Sequence, residues 1–163
     1  MNIRKTTLTD LPAVMQIYKE AQQMMVETQN PDQWAIGYPA QATIEKDIEN
    51  GLSYVCEDNG TIAAVFYFAI QPDPNYVKID GAWKNDEPYG VVHRIARARN
   101  AKGAGAFCLK WCITQADNVR IDTHKNNTPM LKLLESLGFE YCGIIWLIDV
   151  KAERMSFQFV APK

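Results

Sequence analysis

Long apolar runs, metal-ligand spacings and a surplus of positive charge are all missing from this chain of 163 residues. The longest apolar stretch, IAAVFYFAI at 62–70, falls far short of the roughly 20 residues that cross a bilayer, so no membrane partner is expected. The opening MNIRKTTLTD carries basic residues with no apolar run behind them, unlike an export signal, and a cytoplasmic location is expected. Histidine is scarce: only His93 and His124 occur. The four cysteines, Cys56, Cys108, Cys112 and Cys142, make no CxxC pair, and no HxxxH occurs, so zinc has no recognisable spacing and no metal is expected. Cys108 and Cys112 lie one helical turn apart, which suits reduced thiols packed on one face. A net charge of −2 lacks the field with which nucleic-acid binders gather phosphates, so any basic site must be local.

What is present suffices for one core. An apolar content of 47% over this length predicts a single domain, residues 1–163. Alternation predicts a strand over 2–8, and Thr9-Asp10 then caps a helix reaching about residue 27, with Leu11, Val14, Met15, Ile17 and Tyr18 on one face. The segment 27–41 is rich in turn formers yet carries Trp34, Ile36 and Tyr38. Thr43 is expected to cap a short helix that Gly51 ends. Two strands, 52–57 and 61–70, flank Asn59-Gly60 and read as a hairpin, because that dipeptide accepts positive φ angles. Residues 71–88 read as loop and 89–97 as a strand rich in β-branched residues. A helix over about 105–115 and a strand over 119–124 follow. Next comes a helix opened by Asn126 or Asn127, with Pro129 in its first turn and Gly138 at its end. Strands over 139–149 and 154–160 close the chain.

The stretch NAKGAGAFCLKWC (100–112) sets two glycines before a helix. A strand, a glycine turn and a helix leave backbone N–H groups unpaired at the positive end of the helix dipole, where phosphate oxygens satisfy them. Gly103 and Gly105 permit close approach, Ala104 and Ala106 keep it open, and Arg97, Arg99 and Lys102 add local charge. A glycine-softened helix entry has the same pattern. A Walker loop is excluded because Gly-Lys-Ser/Thr is missing. Gly103, Gly105 and Asp122 comply in part with a dinucleotide fingerprint, but Cys108 occupies the third glycine position.

The element order, with Asn100-Ala101-Lys102-Gly103-Ala104-Gly105 at the loop and NTPMLKLLESLGF at 127–139, resembles the GNAT superfamily of acyl-CoA-dependent N-acyltransferases over about residues 2–160. The loop matches the family's Gln/Arg-x-x-Gly-x-Gly/Ala save at Asn100, and Asn127, Gly138 and Phe139 match a second family segment. The resemblance implies an α/β (α+β) fold: one mixed, twisted sheet of about six to seven strands with about four helices on both faces. It implies acetyl-CoA as co-substrate, held by Ile95, Ala96 and Arg97 on a splayed strand, by Lys102, Gly103, Ala104, Gly105 and Ala106 in the loop, and by Asn127. It also implies transfer of an acetyl group to a primary amine of a small molecule or a peptide terminus, and it admits a homodimer. A non-catalytic acyl-CoA-binding module and a dinucleotide-dependent redox protein are the competing readings.

Along the strand 89–97 the two-residue period would set Tyr89, Val91, His93, Ile95 and Arg97 on one face. His93 would then serve as the base, an imidazole being the side chain that titrates near neutrality, or would be satisfied within the sheet. Arg94, on the other face, would pair with Asp122. His124 is expected in a turn. Where the resembled family often has a tyrosine to protonate the leaving thiolate, this chain has Leu134; Tyr141, Cys142 or water would replace it. Trp34, Tyr38 and Tyr89, with Ile36 and Trp146, are expected to wall the acceptor pocket, and Asp32, Asp86 and Glu87 to attract a cationic amine.

Overall fold

A computed structural model describes residues 1–163. Its sheet has eight strands in the order β1-β2-β3-β5-β6-β8-β7-β4. They are β1 (Asn2–Lys5), β2 (Ser53–Asp58), β3 (Thr61–Ile70), β4 (Asp80–Gly81), β5 (Gly90–Arg97), β6 (Asn118–Thr123), β7 (Glu140–Trp146) and β8 (Glu153–Val160). Only β5 and β6 run parallel; every other pair is antiparallel. The strand beyond the expected six to seven is β4, two residues inside the segment read as loop. No periodicity announces so short a strand. It exists because Gly81 and Gly143, both at positive φ, let two backbones pass where a Cβ on Gly81 would lie 2.1 Å from the carbonyl oxygen of Cys142.

The helices are α1 (Leu11–Glu27), α2 (Gln41–Glu49), α3 (Ala104–Gln115) and α4 (Thr128–Ser136). Before α1 a short 3-10 turn, Leu8–Asp10, is held by Asp10, whose carboxylate accepts from the Thr7 N–H at 2.7 Å. Thr43 lies inside α2 rather than capping it; Ala40 is the N-cap, and α2 starts without a side-chain cap. Asn127 does cap α4, its side chain accepting from the Met130 N–H at 3.3 Å.

Strand alternation divides the core between the two faces. Val14, Ile17 and Tyr18 of α1 and Ile44 of α2 meet Val55, Val65 and Ala96 on one side. Cys108, Leu109 and Cys112 of α3 and Leu134 of α4 meet Cys56, Phe66, Phe68 and Val92 on the other. The four thiols are buried and unpaired, and burial raises the pKa of Cys108 and Cys112 well above an ordinary thiol's, so they behave as small apolar groups.

Two features of β5 shape everything around it. It pairs with β6 only over Gly90–Val92 and then departs, leaving a cleft between the strands. It also bulges opposite β3: Val65 pairs with Ala96 and Tyr67 with His93, so one extra residue lies between, and Arg94 adopts φ +50.

Leu134 is fully buried in the α3–α4 cluster. Leu134→Ala is expected to lower unfolding free energy by about 3 kcal/mol in urea titrations. Leu134→Tyr is expected to destabilise as well, because a larger side chain with a hydroxyl would have to enter a fully buried apolar cluster.

Candidate active site

The bulge changes which side chains share a face. Tyr67, next in alternation to Val65, lies on the α1–α2 side, and His93 pairs across from it with ring centroids 5.5 Å apart. Past Arg94 the parity switches, so Ile95 packs toward α3 and Ala96 toward α1. His93 therefore does not share a face with Ile95 and Arg97, contrary to the simple two-residue count. Arg94 turns to the same side as His93: its guanidinium lies 4.9 Å from the Tyr67 ring centroid and donates to Asp47 of α2 at 2.8 Å. Asp122, the partner expected for Arg94, instead accepts from the Tyr76 hydroxyl at 2.7 Å.

His93 stands between two carboxylates. Nε2 is 2.5 Å from Asp73 Oδ2, and Nδ1 is 4.0 Å from Asp122 Oδ2. Asp73 also accepts from the Asn75 N–H at 2.8 Å, and its own N–H donates to the Tyr89 hydroxyl at 2.9 Å. Burial pushes the Asp73 carboxyl up, but the imidazole and the Asn75 N–H outweigh it and hold the group below its ordinary value of 3.8. Burial dominates for Asp122 and leaves it above that value, even though His93 and the Tyr76 hydroxyl pull it down. With Asp73 ionised and able only to accept, the hydrogen of neutral His93 resides on Nε2, leaving Nδ1 with a free lone pair.

These groups face a cavity of about 690 Å³. Trp34 and Tyr38 line it, tilted against each other with ring centroids 5.5 Å apart, as do Tyr67, Asp73, His93 and Asp122. Ile95 and Asn127 line the end that leads into the β5–β6 cleft. The expected wall residue Tyr89 does not line it: Tyr89 packs beside Tyr76 and Val91 with the Arg120 guanidinium 3.9 Å over its ring. Ile36 is 92% exposed, and Trp146 lies outside the cavity. Tyr141, one of the three candidate proton donors for the thiolate, is half exposed on β7, edge-on to Phe157, and does not line the cavity that holds His93. Cys142 is likewise remote from the cavity. Asp32 reaches its rim, whereas Asp86 and Glu87 do not reach it. His124 takes the turn role, its Nδ1 accepting from the Asn126 N–H at 3.0 Å.

At the glycine turn, Gly103 adopts φ +86 and caps α3, and an added Cβ at Gly103 or Gly105 meets nothing within 4 Å. The N–H groups of Lys102, Gly103, Gly105 and Ala106 make no hydrogen bond, so four donors are available at the positive end of α3. Ala104 is not one of them: its N–H donates to Ala101 and its side chain is buried in the core. Ala96 is buried toward α1. Arg97 folds its guanidinium onto the carbonyls of Ala98 and Arg99 at 3.0 Å each, bracing the turn. Asn127 uses its amide on the Gln33 side chain at 3.0 Å as well as its oxygen on the α4 cap.

Sequence reasoning missed Asp73, Tyr67 and Arg154 in the cavity wall. The flanking prolines of QPDPN were the one available sign that Asp73 belongs to a fixed turn. Asp73 and Asp122 titrate with opposite consequences. Asp73 contributes stability above its ordinary value that is lost as pH falls through its depressed folded value; Asp122 binds its proton more tightly when folded, so stability falls as pH rises through its raised value. Urea midpoints measured from about pH 6 down to about pH 2 are therefore expected to fall less steeply in Asp73→Asn and more steeply in Asp122→Asn than in the parent.

A sequence model of the acetyltransferase (GNAT) family matches residues 11–139. Among proteins of curated function none matches the chain in sequence. An acetyltransferase of the GNAT family from Streptococcus agalactiae 2603 superposes with a TM-score of 0.87 at 28% identity, over 99% of this chain and 96% of that one. A ribosomal-protein-alanine N-acetyltransferase from Brucella melitensis gives 0.67 at 18%, over 98% and 99%. A NatC complex bound to a Gag peptide and CoA gives 0.67 at 11%, over 99% and 98%. The last two speak for the fold alone. With its mixed sheet, its parted central strands and a family match over most of its length, the chain belongs to the GNAT acetyltransferase family.

Proposed function

We propose that this protein is an N-acetyltransferase that moves an acetyl group from acetyl-CoA to a primary amine of a small molecule or a peptide terminus. One observation carries the reading: four unpaired N–H donors at the start of α3 lie beside a cleft between β5 and β6, and that cleft opens into the cavity holding His93. The fit to CoA is supported by the absence of any atom within 4 Å of a Cβ at Gly103 or Gly105, so a diphosphate can meet the main chain directly. Acetyl-CoA would supply an activated acyl carbon.

The residues of the chain would supply the rest. His93 Nδ1 takes a proton from the bound ammonium while Nε2–H stays on Asp73, which fixes the ring and stabilises the imidazolium. The freed amine forms the new C–N bond as the C–S bond breaks. The second proton that the nitrogen loses on becoming an amide would pass to the departing thiolate through water or the Tyr67 hydroxyl, which burial keeps protonated. Trp34 and Tyr38 cover the cavity and exclude bulk solvent. In the same reading residues 1–163 form one catalytic domain, and its four unpaired thiols suit the reducing cytoplasm.

A second reading, a non-catalytic acyl-CoA-binding module, draws on the buried Leu134 and on Tyr141 lying off the cavity. Thiol release from acetyl-CoA over an amine panel separates the two: the transferase turns over at least one amine, and the module binds CoA with none. In the transferase, His93→Ala is expected to lower kcat by about 100-fold near neutral pH, with the loss shrinking as pH rises and the amine deprotonates unaided. An unaltered pH–rate profile would remove His93 as the base. Gly105→Val is expected to weaken CoA binding by calorimetry at least about tenfold with little change in Tm, since a Cβ there has no protein atom within 4 Å while the branched side chain crowds the free donors.

A further inference from the structure

The cavity holds one cation without a carboxylate to match it. Lys46 is exposed at the rim, and Arg94 is paired with Asp47. Arg154 of β8 is 5% exposed and lines the cavity, yet its only hydrogen bonds go to the main-chain carbonyls of Glu153 and Gln33, each at 2.8 Å. No carboxylate lies within ion-pair distance of it. Taking a guanidinium out of water without a carboxylate in contact is costly, and burial pulls the pKa of Arg154 below that of a free arginine even though the charge of Asp122 raises it in part.

The register places this charge relative to His93. Asp122 of β6 pairs with Ser156 of β8, so Arg154, two residues on, is its diagonal neighbour on the same face. Such diagonal positions are about 7–8 Å apart. Asp122 is itself a largely buried carboxylate with no lysine or arginine in contact, its one hydrogen bond coming from the Tyr76 hydroxyl and the His93 ring lying 4.0 Å away. The wall thus presents a carboxylate and a guanidinium on one face, which feel each other's charge through space but make no direct ion pair, with His93 Nδ1 4.0 Å from the carboxylate.

Resting on the transferase reading, we infer that the acceptor is an amino acid bound as its zwitterion: its ammonium sits between Asp122 and His93 Nδ1, and its carboxylate is clasped by Arg154. The spacing suits a molecule whose two charges are a few bonds apart. Each end of the ligand restores a charge balance that folding left open. The ammonium is delivered to the nitrogen that removes its proton, and the forked guanidinium fixes the other end so that the amine cannot rotate away. A simple amine would leave Arg154 unmatched, and a peptide terminus would present an amide where the carboxylate belongs.

The test measures thiol release from acetyl-CoA with the proteinogenic α-amino acids, their carboxamides and the corresponding decarboxylated amines. The expected result is a kcat/KM for the preferred free acid at least about 30-fold above that of its carboxamide, the loss that follows when a buried charge is left without its partner. In Arg154→Gln that ratio is expected to fall close to one; a residue that only braces Gln33 would lower both rates together. Arg154→Lys, which keeps the charge but not the fork, is expected to retain part of the preference and serves if the glutamine variant fails to fold. Equal rates for acid and carboxamide in the parent protein would overturn the inference while leaving acetyl transfer standing. Absence of thiol release with every amine, in protein that binds CoA, would overturn both.

Discussion

The parting of β5 from β6 beyond Val92 and Ile121 is the constraint on which the site depends. Two parallel strands that stayed paired would close the sheet and satisfy each other's backbone. Here the pairing stops halfway, and the Arg94 bulge gives β5 the extra residue that bends it away while β3 still holds its other edge. The same bulge sends His93 and Arg94 to one side of the sheet, although they are adjacent in sequence. The Tyr18 hydroxyl of α1 donates to the Arg94 carbonyl at 2.9 Å, so the distorted backbone is anchored to the helix layer. A cleft, the placement of His93 and the floor of a cavity thus follow from one local irregularity.

The charges around that floor are organised by burial. Arg94 and Asp47 neutralise each other at the α2 side and help fasten the helix to the bulge. Asp73 is kept ionised by two donors and orients the imidazole, while Asp122 and Arg154 face the cavity without a direct ion pair between them or to any other lysine, arginine or carboxylate. In a site shielded from water such unmatched groups interact strongly with whatever enters. Gln33 ties the region together: its side chain accepts from Asn30 and Asn127, and its carbonyl accepts from Arg154, so the aromatic segment carrying Trp34 is bound to α4 and β8.

Much of the scaffold could be read from residue patterns because the signals are local. Asn59-Gly60 marks the β2–β3 hairpin, Gly103 takes the positive φ that its place before α3 requires, and Asn127 caps α4. His93 was legible as a candidate base from its strand position. What alternation could not supply was the bulge, which exchanges the faces of Ile95 and Arg97 with respect to His93 and redirects Arg94 from Asp122 to Asp47. Asp73 and Arg154 reach the cavity through long-range packing that leaves no periodic trace. Tyr141 was one strand too far out, and Tyr89 was claimed by stacking with Arg120. The short strand β4 depends on two glycines meeting across a distance of some sixty residues, which composition alone does not reveal.

The most direct measurement is a crystal structure of the protein with acetyl-CoA bound. The account predicts the diphosphate on the N–H groups of Lys102, Gly103, Gly105 and Ala106, the pantetheine arm between β5 and β6, and the thioester within reach of an amine held at His93. A diphosphate bound elsewhere, or a pantetheine arm that leaves the β5–β6 cleft empty, would contradict it.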